Sequence, residues 1–263
     1  MPASSLITPR SNAWYGLRPD LPDFRDRMFV SKPKELPASV DLRAHCCPVM
    51  NQGEIGSCAE HAVTAALRFN LLAKGLPDRN LSRLQLYYDV RVLEGTVGED
   101  AGSELRDVVK LAGKIGVAHE ELWPYDVTKF KRKPTKVVYA DAVKFEALTY
   151  ARVDVTPQAV KAALAAGFPV IIGLTLYPEF ESDATAKTGV VAMPSGDKGP
   201  VGGHAMLCVG YDAGHFIVQN SWAADWGDKG FCYFPEGYVG NANLGSDYWT
   251  ITDLKIADPK KAA

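Results

Sequence analysis

Three short segments of this chain carry side chains that could do nucleophilic chemistry together. The first, Pro48-Val-Met-Asn-Gln-Gly-Glu-Ile-Gly-Ser-Cys58, ends where Ser57 and Glu60 have the spacing of a helix capping box. That spacing puts Cys58 at the first helical position. Its sulfur would there face unpaired backbone N–H groups and the positive end of the helix dipole, and both favour thiolate over thiol. A small buried thiol at a helix start fits the same pattern equally well. The second segment, Gly202-Gly-His204-Ala-Met-Leu-Cys-Val-Gly-Tyr211, holds a histidine whose glycine neighbours leave one face of the imidazole open. A lone histidine at a strand start is more often structural. The third, Gln219-Asn220-Ser-Trp222-Ala-Ala-Asp-Trp226-Gly227, sets an amide beside two tryptophans, where it could orient an imidazole or simply satisfy a turn.

Taken together the segments are far more specific. His204 lies 146 residues after Cys58 and Asn220 162 after it, close to the roughly 130 to 150 residues that separate nucleophile from base in one class of thiol hydrolases. Gln52-Gly53-x-x-Gly56-Ser57-Cys58, His204-Ala205 and Asn220-Ser221-Trp222-x-x-x-Trp226-Gly227 resemble, in the same order, the three signature blocks of the papain family of cysteine proteases. The resemblance runs from Leu36, where Leu36-Pro-Ala-Ser-Val-Asp-Leu-Arg43 looks like the start of a mature enzyme, to Ile251.

The resemblance implies a cysteine endopeptidase that needs no cofactor and cleaves a peptide or protein substrate through a thioester. Cys58 would attack the scissile carbonyl, paired with the imidazolium of His204, which later protonates the leaving amine. Asn220 would hold the ring in orientation and Trp222 would shield that hydrogen bond from water. The Gln52 side chain and the Cys58 N–H would form the oxyanion hole. Gly102 would belong to the substrate wall, and Gly203 to a pocket for a bulky apolar side chain. Two other functions fit the same residues: a binding protein that keeps the fold without turnover, and a thiol amidase or transferase.

The departures from the family pattern are specific. Ile55 stands where the family usually has a cysteine, bridged to a second near Glu99, and both are missing here. Their joint loss is consistent with a reducing compartment or a prokaryotic branch. Ala59 replaces the usual tryptophan after the nucleophile, and Ala101-Gly102 keeps one of the usual paired glycines. His61 is a rival base one turn after Cys58, but a helix interior would point it away from the substrate side.

Composition adds bounds. With 29 basic against 31 acidic side chains and 47% hydrophobic residues in 263, the chain is that of an ordinary globular protein, with no global field to recruit nucleic acid or a membrane. A monomer without either partner is expected. The run Lys129 to Lys136 reads as a solvated loop. No apolar stretch approaches the roughly 18 residues of a membrane span, and Met1 to Trp14 lacks the apolar core of a secretory signal. A cytoplasmic location follows, unless export uses a signal-independent route. Five cysteines, with Cys46 and Cys47 adjacent, do not make a disulfide framework, so at least one thiol is free. The cysteines and histidines also lack the spacing of a structural zinc site.

The elements that must position these residues divide the chain. Residues 1–35, rich in Pro, Arg and Asp with Trp14, Tyr15, Phe24 and Phe29, read as an extended arm. It is expected to lie across or beside the cleft as a short pro-segment, or else to pack on the back of the fold. Residues 36–150 carry helix signals: Ser57 before an apolar run ending at Gly75, Ser82 with Gln85 before a helix to Leu93, and Ser103 before Leu105, Val108, Val109 and Ala112. In residues 151–255, Thr156-Pro157 opens a helix that stops near Gly167. Strand runs follow at 170–176, 204–211, 215–220, 231–234 and 248–251. Residues 256–263 read as a tail. The expected fold is α+β and papain-like in two lobes, helical first and antiparallel β-barrel-like second, with the site in the cleft between.

Overall fold

The computed structural model describes residues 15–31, 33, 35–196 and 198–256. Trp14 and the tail from residue 257 lie outside the described residues. In chain order the elements are β1 (Leu17–Arg18), β2 (Val40–Asp41), α1 (Cys58–Ala73), α2 (Arg83–Leu93), β3 (Ser103–Glu104), α3 (Leu105–Lys114) and α4 (Lys136–Ala142). Then come β4 (Phe145–Val153), α5 (Pro157–Ala165), β5 (Val170–Leu176), α6 (Asp183–Thr188), β6 (Gly202–Asp212), β7 (His215–Gln219), β8 (Phe231–Pro235), α7 (Glu236–Val239) and β9 (Gly245–Ile256). The two-lobe α+β fold is as expected. β4 runs through residue 150, where the lobe boundary was placed.

Local signals account for most of these ends. The Ser82 side chain accepts from the Gln85 N–H to start α2, and Thr156 accepts from the Ala159 N–H to start α5 with Pro157 in its first turn. Two expected caps are not formed. Ser57 makes no cap bond, because its hydroxyl pairs with the Tyr125 hydroxyl at 2.6 Å; Glu60 turns inward to accept from Ser103 Oγ at 2.8 Å. Ser103 is therefore spent on Glu60 and sits in β3, leaving α3 to begin at Leu105. A partner distant in sequence outcompetes the local backbone in both cases.

Every ladder of the seven-stranded sheet is antiparallel, in the order β4-β9-β5-β6-β7-β8, with β2 added to β6. No ladder joins β4 to β8 among the described residues. Alternation along β5 and β6 splits the core. Ile171, Ala205, Leu207 and Val209 pack with α1, α2 and α3, while Val170, Ile172, Met206 and Cys208 pack on the opposite face. Burial on both faces explains why these strands read as continuous apolar runs. No helix among the described residues is long and apolar enough to cross a membrane.

Candidate active site

The start of α1 and the start of β6 meet. Cys58 is the first residue of α1, and its sulfur faces the backbone N–H groups of Ala205, Gly16 and Ala59. Ala205 is the residue after His204 on β6, so the thiol and the imidazole border one gap. Nε2 of His204 lies 2.9 Å from Oδ1 of Asn220, which also accepts the Ser221 N–H at 2.8 Å. The Trp222 ring covers this pair, its centroid 5.2 Å from that of His204 and tilted by 39°. Phe180 and Trp226 support Trp222 from behind, with centroids 5.1 and 5.3 Å from it.

Gln52 is brought in by the loop before α1. Its backbone N–H donates to the Ser221 carbonyl at 2.9 Å, and Asn51 pairs with Trp222 across the gap. Ser221 Oγ donates to Gln52 Oε1 at 2.6 Å, which fixes the amide so that Nε2 is the remaining donor; it also contacts the Ile55 carbonyl at 3.1 Å. The Tyr125 hydroxyl donates to the Gln52 carbonyl at 2.7 Å. Ser221 and Tyr125 were not singled out from the sequence. Ser221 could have been, since it is part of Asn220-Ser-Trp222, whereas Tyr125 carries no local signal.

Cys58 and His204 are both 0% exposed. What covers them is the arm. The N–H of Gly16 reaches the sulfur, and its carbonyl accepts the Ser103 N–H at 2.8 Å. β1 then pairs in parallel with β3, Leu17 opposite Ser103 and Arg18 opposite Glu104. The walls are glycines because the backbones nearly touch: a Cβ on Gly102, where φ is +68°, would lie 1.9 Å from the Gly16 oxygen, and one on Gly203 would lie 2.6 Å from the Leu17 oxygen. Leu17 fills the pocket beside Gly173 and Gly203. Arg18 pairs with Glu94, and the Tyr15 hydroxyl donates to Glu181.

Beyond the cleft, Asp20 and Asp26 clamp the arm to Arg106 of α3 and Arg152 of β4. Phe29 stacks edge-on against Phe168. Phe24, another aromatic of the arm, is 98% exposed.

Burial changes the charge state expected at Cys58. The helix start favours thiolate, but removal from water under Gly16 pushes the thiol up to about 12, with the Glu60 carboxylate adding to the rise, so in this closed arrangement it is neutral. His61 is buried, its Nδ1 2.8 Å from the Ser57 carbonyl, and burial followed by the nearby Arg83 holds its pKa well below the ordinary histidine value. Its ring stands edge-on to Tyr125, with centroids 5.0 Å apart. All five cysteines are free thiols, and no group of metal-ligating side chains occurs among the described residues.

Comparison with known proteins gives the family. The family model for papain family cysteine proteases matches residues 36–251. An uncharacterized peptidase C1-like protein of Acanthamoeba polyphaga mimivirus is 36% identical over 246 residues, covering 87% of this chain and 78% of that one. Cysteine proteinase 2 of Zea mays is 32% identical over 212 residues, covering 74% of this chain and 54% of that one. Among solved structures, xylellain, a cysteine protease from Xylella fastidiosa, superposes with a TM-score of 0.86 at 32% identity, covering 96% of this chain and 100% of that one.

Proposed function

Since this chain belongs to the papain family of cysteine proteases and is a cysteine peptidase acting on peptides or proteins, we propose that Cys58, His204, Asn220 and Gln52 carry its turnover as an endopeptidase. The observation that carries this reading is that the Ala205 N–H faces the Cys58 sulfur while its neighbour His204 is held by Asn220. With the cleft open, water and the helix start return the sulfur to thiolate. The thiolate adds to the scissile carbonyl, and the oxyanion is met by Gln52 Nε2 and the Cys58 N–H. Collapse breaks the C–N bond, and His204 gives its proton to the leaving amine. The thioester is then cleaved by a water that gives a proton to His204, and the thiolate returns with the carboxylic acid released. Every group comes from one chain, which supports a monomer; five free thiols support work in a reducing compartment.

The arm, residues 1–35, is a short pro-segment whose residues Tyr15 to Arg18 occupy the cleft. Its direction explains why it survives there. The leaving amine must face His204, so a substrate places on that side the residue that follows the scissile bond. The arm places Tyr15 there, the residue that precedes Gly16. The chain runs backwards past the sulfur, and its peptide group is offered in the wrong sense for acyl transfer.

The test is a peptidyl epoxide together with a set of short peptides, applied to the full chain and to Tyr15→Ala. A single adduct on Cys58, faster in the variant, and hydrolysis abolished by Cys58→Ala are expected. Hydrolysis that survives Cys58→Ala overturns the assignment.

A further inference from the structure

Three buried polar atoms behind the catalytic pair have no protein partner: Nε2 of His61, Oε1 of Gln219 and Nδ2 of Asn220. Each residue is 4% exposed. The three residues line one cavity, bordered also by Cys47, Ala205 and Met206, which leaves about 20 Å³ for the centre of a water-sized sphere. That is room for one water.

The other ends of the three side chains fix what each atom can do. His61 Nδ1 donates to the Ser57 carbonyl at 2.8 Å, so in the neutral ring Nε2 is an acceptor. Gln219 Nε2 donates to the Cys47 carbonyl at 2.8 Å, so Oε1 is an acceptor. Asn220 Oδ1 receives His204 Nε2 and the Ser221 N–H, so Nδ2 is a donor. The cavity therefore presents two acceptors and one donor. Water answers all three. A cation cannot accept from Nδ2, and a simple anion cannot donate to the two acceptors.

We propose that one tightly held water binds in this cavity, and that His61 and Gln219 act through it as positioning residues that hold the Asn220 amide with Oδ1 toward His204. The proposal deepens the reading of His204 and Asn220 as the acid–base pair and rests on it for its kinetic part. If nothing accepts from Nδ2, the amide can turn over and bring N–H against the N–H of His204. The bond to Oδ1 favours the charged ring, so losing it lowers the pH up to which the imidazolium persists. His61, set aside as a base, thus serves the base from behind.

The experiment has a structural and a kinetic arm, both on the full chain. A high-resolution crystal structure is expected to hold one ordered water within hydrogen-bond reach of all three atoms; a dry cavity, or density touching only one of them, overturns the site. In kinetics, His61→Leu removes an acceptor and His61→Gln restores one. The leucine variant is expected to lose about tenfold in kcat with little change in KM, as befits a buried partner left unmade, and to move the alkaline limb of its pH profile to lower pH. The glutamine variant is expected to recover most of both. Gln219→Leu repeats the test from the other side should His61→Leu fold poorly. Unchanged pH limbs in the folded variants overturn the positioning role. A wild-type chain that cleaves no peptide sinks the catalytic reading instead, and the crystallographic arm still decides whether the water is there.

Discussion

The phenol ring of Tyr15 stands edge-on against the imidazole of His204, with centroids 6.0 Å apart and planes at 85°. It also meets Trp222 edge-on at 6.1 Å, so one arm residue touches both the proposed base and the ring that covers it. The next two residues close the rest of the cleft: Gly16 caps the sulfur and Leu17 fills the adjoining pocket. A cleft sealed in this way can admit a substrate only when the arm lifts.

Loosening the arm should therefore expose the thiol without unfolding the lobes. Leu17→Ala removes most of one buried side chain, a change that costs about 2 to 5 kcal/mol in a packed site. Alkylation of Cys58 by iodoacetamide at neutral pH is expected to speed up at least roughly tenfold, as a few kcal/mol of docking energy requires. The main thermal transition should stay in place. An unchanged alkylation rate would mean that the arm does not gate the thiol.

Gln52→Ala tests the oxyanion donor. The amide is already fixed by Ser221 Oγ, so it meets the developing charge without reorganising. Removing one such donor typically lowers kcat by about 10² to 10³. Steady-state kinetics on a peptide substrate should find that loss in kcat with KM little changed. A loss confined to KM would place Gln52 in substrate binding instead.

Much of the site is legible in sequence because its parts are local. Cys58, His204 and Asn220 each stand among fixed neighbours, and β5 is an apolar run whose bounds, Val170–Leu176, follow from its flanks. What fails is what depends on a distant partner. Ser57 is drawn off its cap by Tyr125 and Ser103 by Glu60, and neither pull is visible in local spacing. The two residues of β1 have no pattern of their own; pairing with β3 and the glycine walls give them their conformation. Bulges near Ala147 and Thr149 break the period of β4 and hide it. The thiol's charge state also escapes a local reading, since the helix start and burial oppose each other and only packing decides which prevails.

Arm docking should tighten in acid. Burial, with the Asp247 carboxylate next, raises Asp20 from 3.8 to about 6, against the pull of Arg106 and Trp249. Burial also raises Glu94 from 4.5 to about 7, although the Glu104 N–H and Arg18 oppose it. Asp20 belongs to the arm, so its docked value lies above its free one and docking takes up a proton: this contribution is complete below about pH 4 and is lost as pH rises through about 6. Asp23 is held low chiefly by Arg25 on the arm itself, with a smaller contribution on docking from Lys110 of α3 at 4.0 Å. Cleavage of the arm by an added protease, normalised to the same residues as a free peptide, is expected to be slower at pH 5 than at pH 8. Asp20→Asn should reduce the difference, and faster cleavage at pH 5 would mean that docking releases protons instead of taking them up.

Glu60 makes the last prediction, on stability. It is fully buried in the first turn of α1, with Oε1 accepting from Ser103 at 2.8 Å and Oε2 without a partner. Burial, helped by Glu94, raises its pKa from 4.5 to about 8, so the folded protein holds it protonated at neutral pH while the unfolded chain ionises it. The folded value is the higher one, so its contribution is present in full below about pH 4.5 and disappears as pH climbs to about 8. Between pH 5 and pH 8 the loss is of order 3 kcal/mol. Glu60→Gln keeps an oxygen for Ser103 and has no proton to lose. Urea unfolding of both proteins at pH 5 and pH 8 isolates this group from all others. The variant should match wild type at pH 5 and exceed it by about that amount at pH 8; an equal difference at the two pH values would show that Glu60 does not change its protonation on folding.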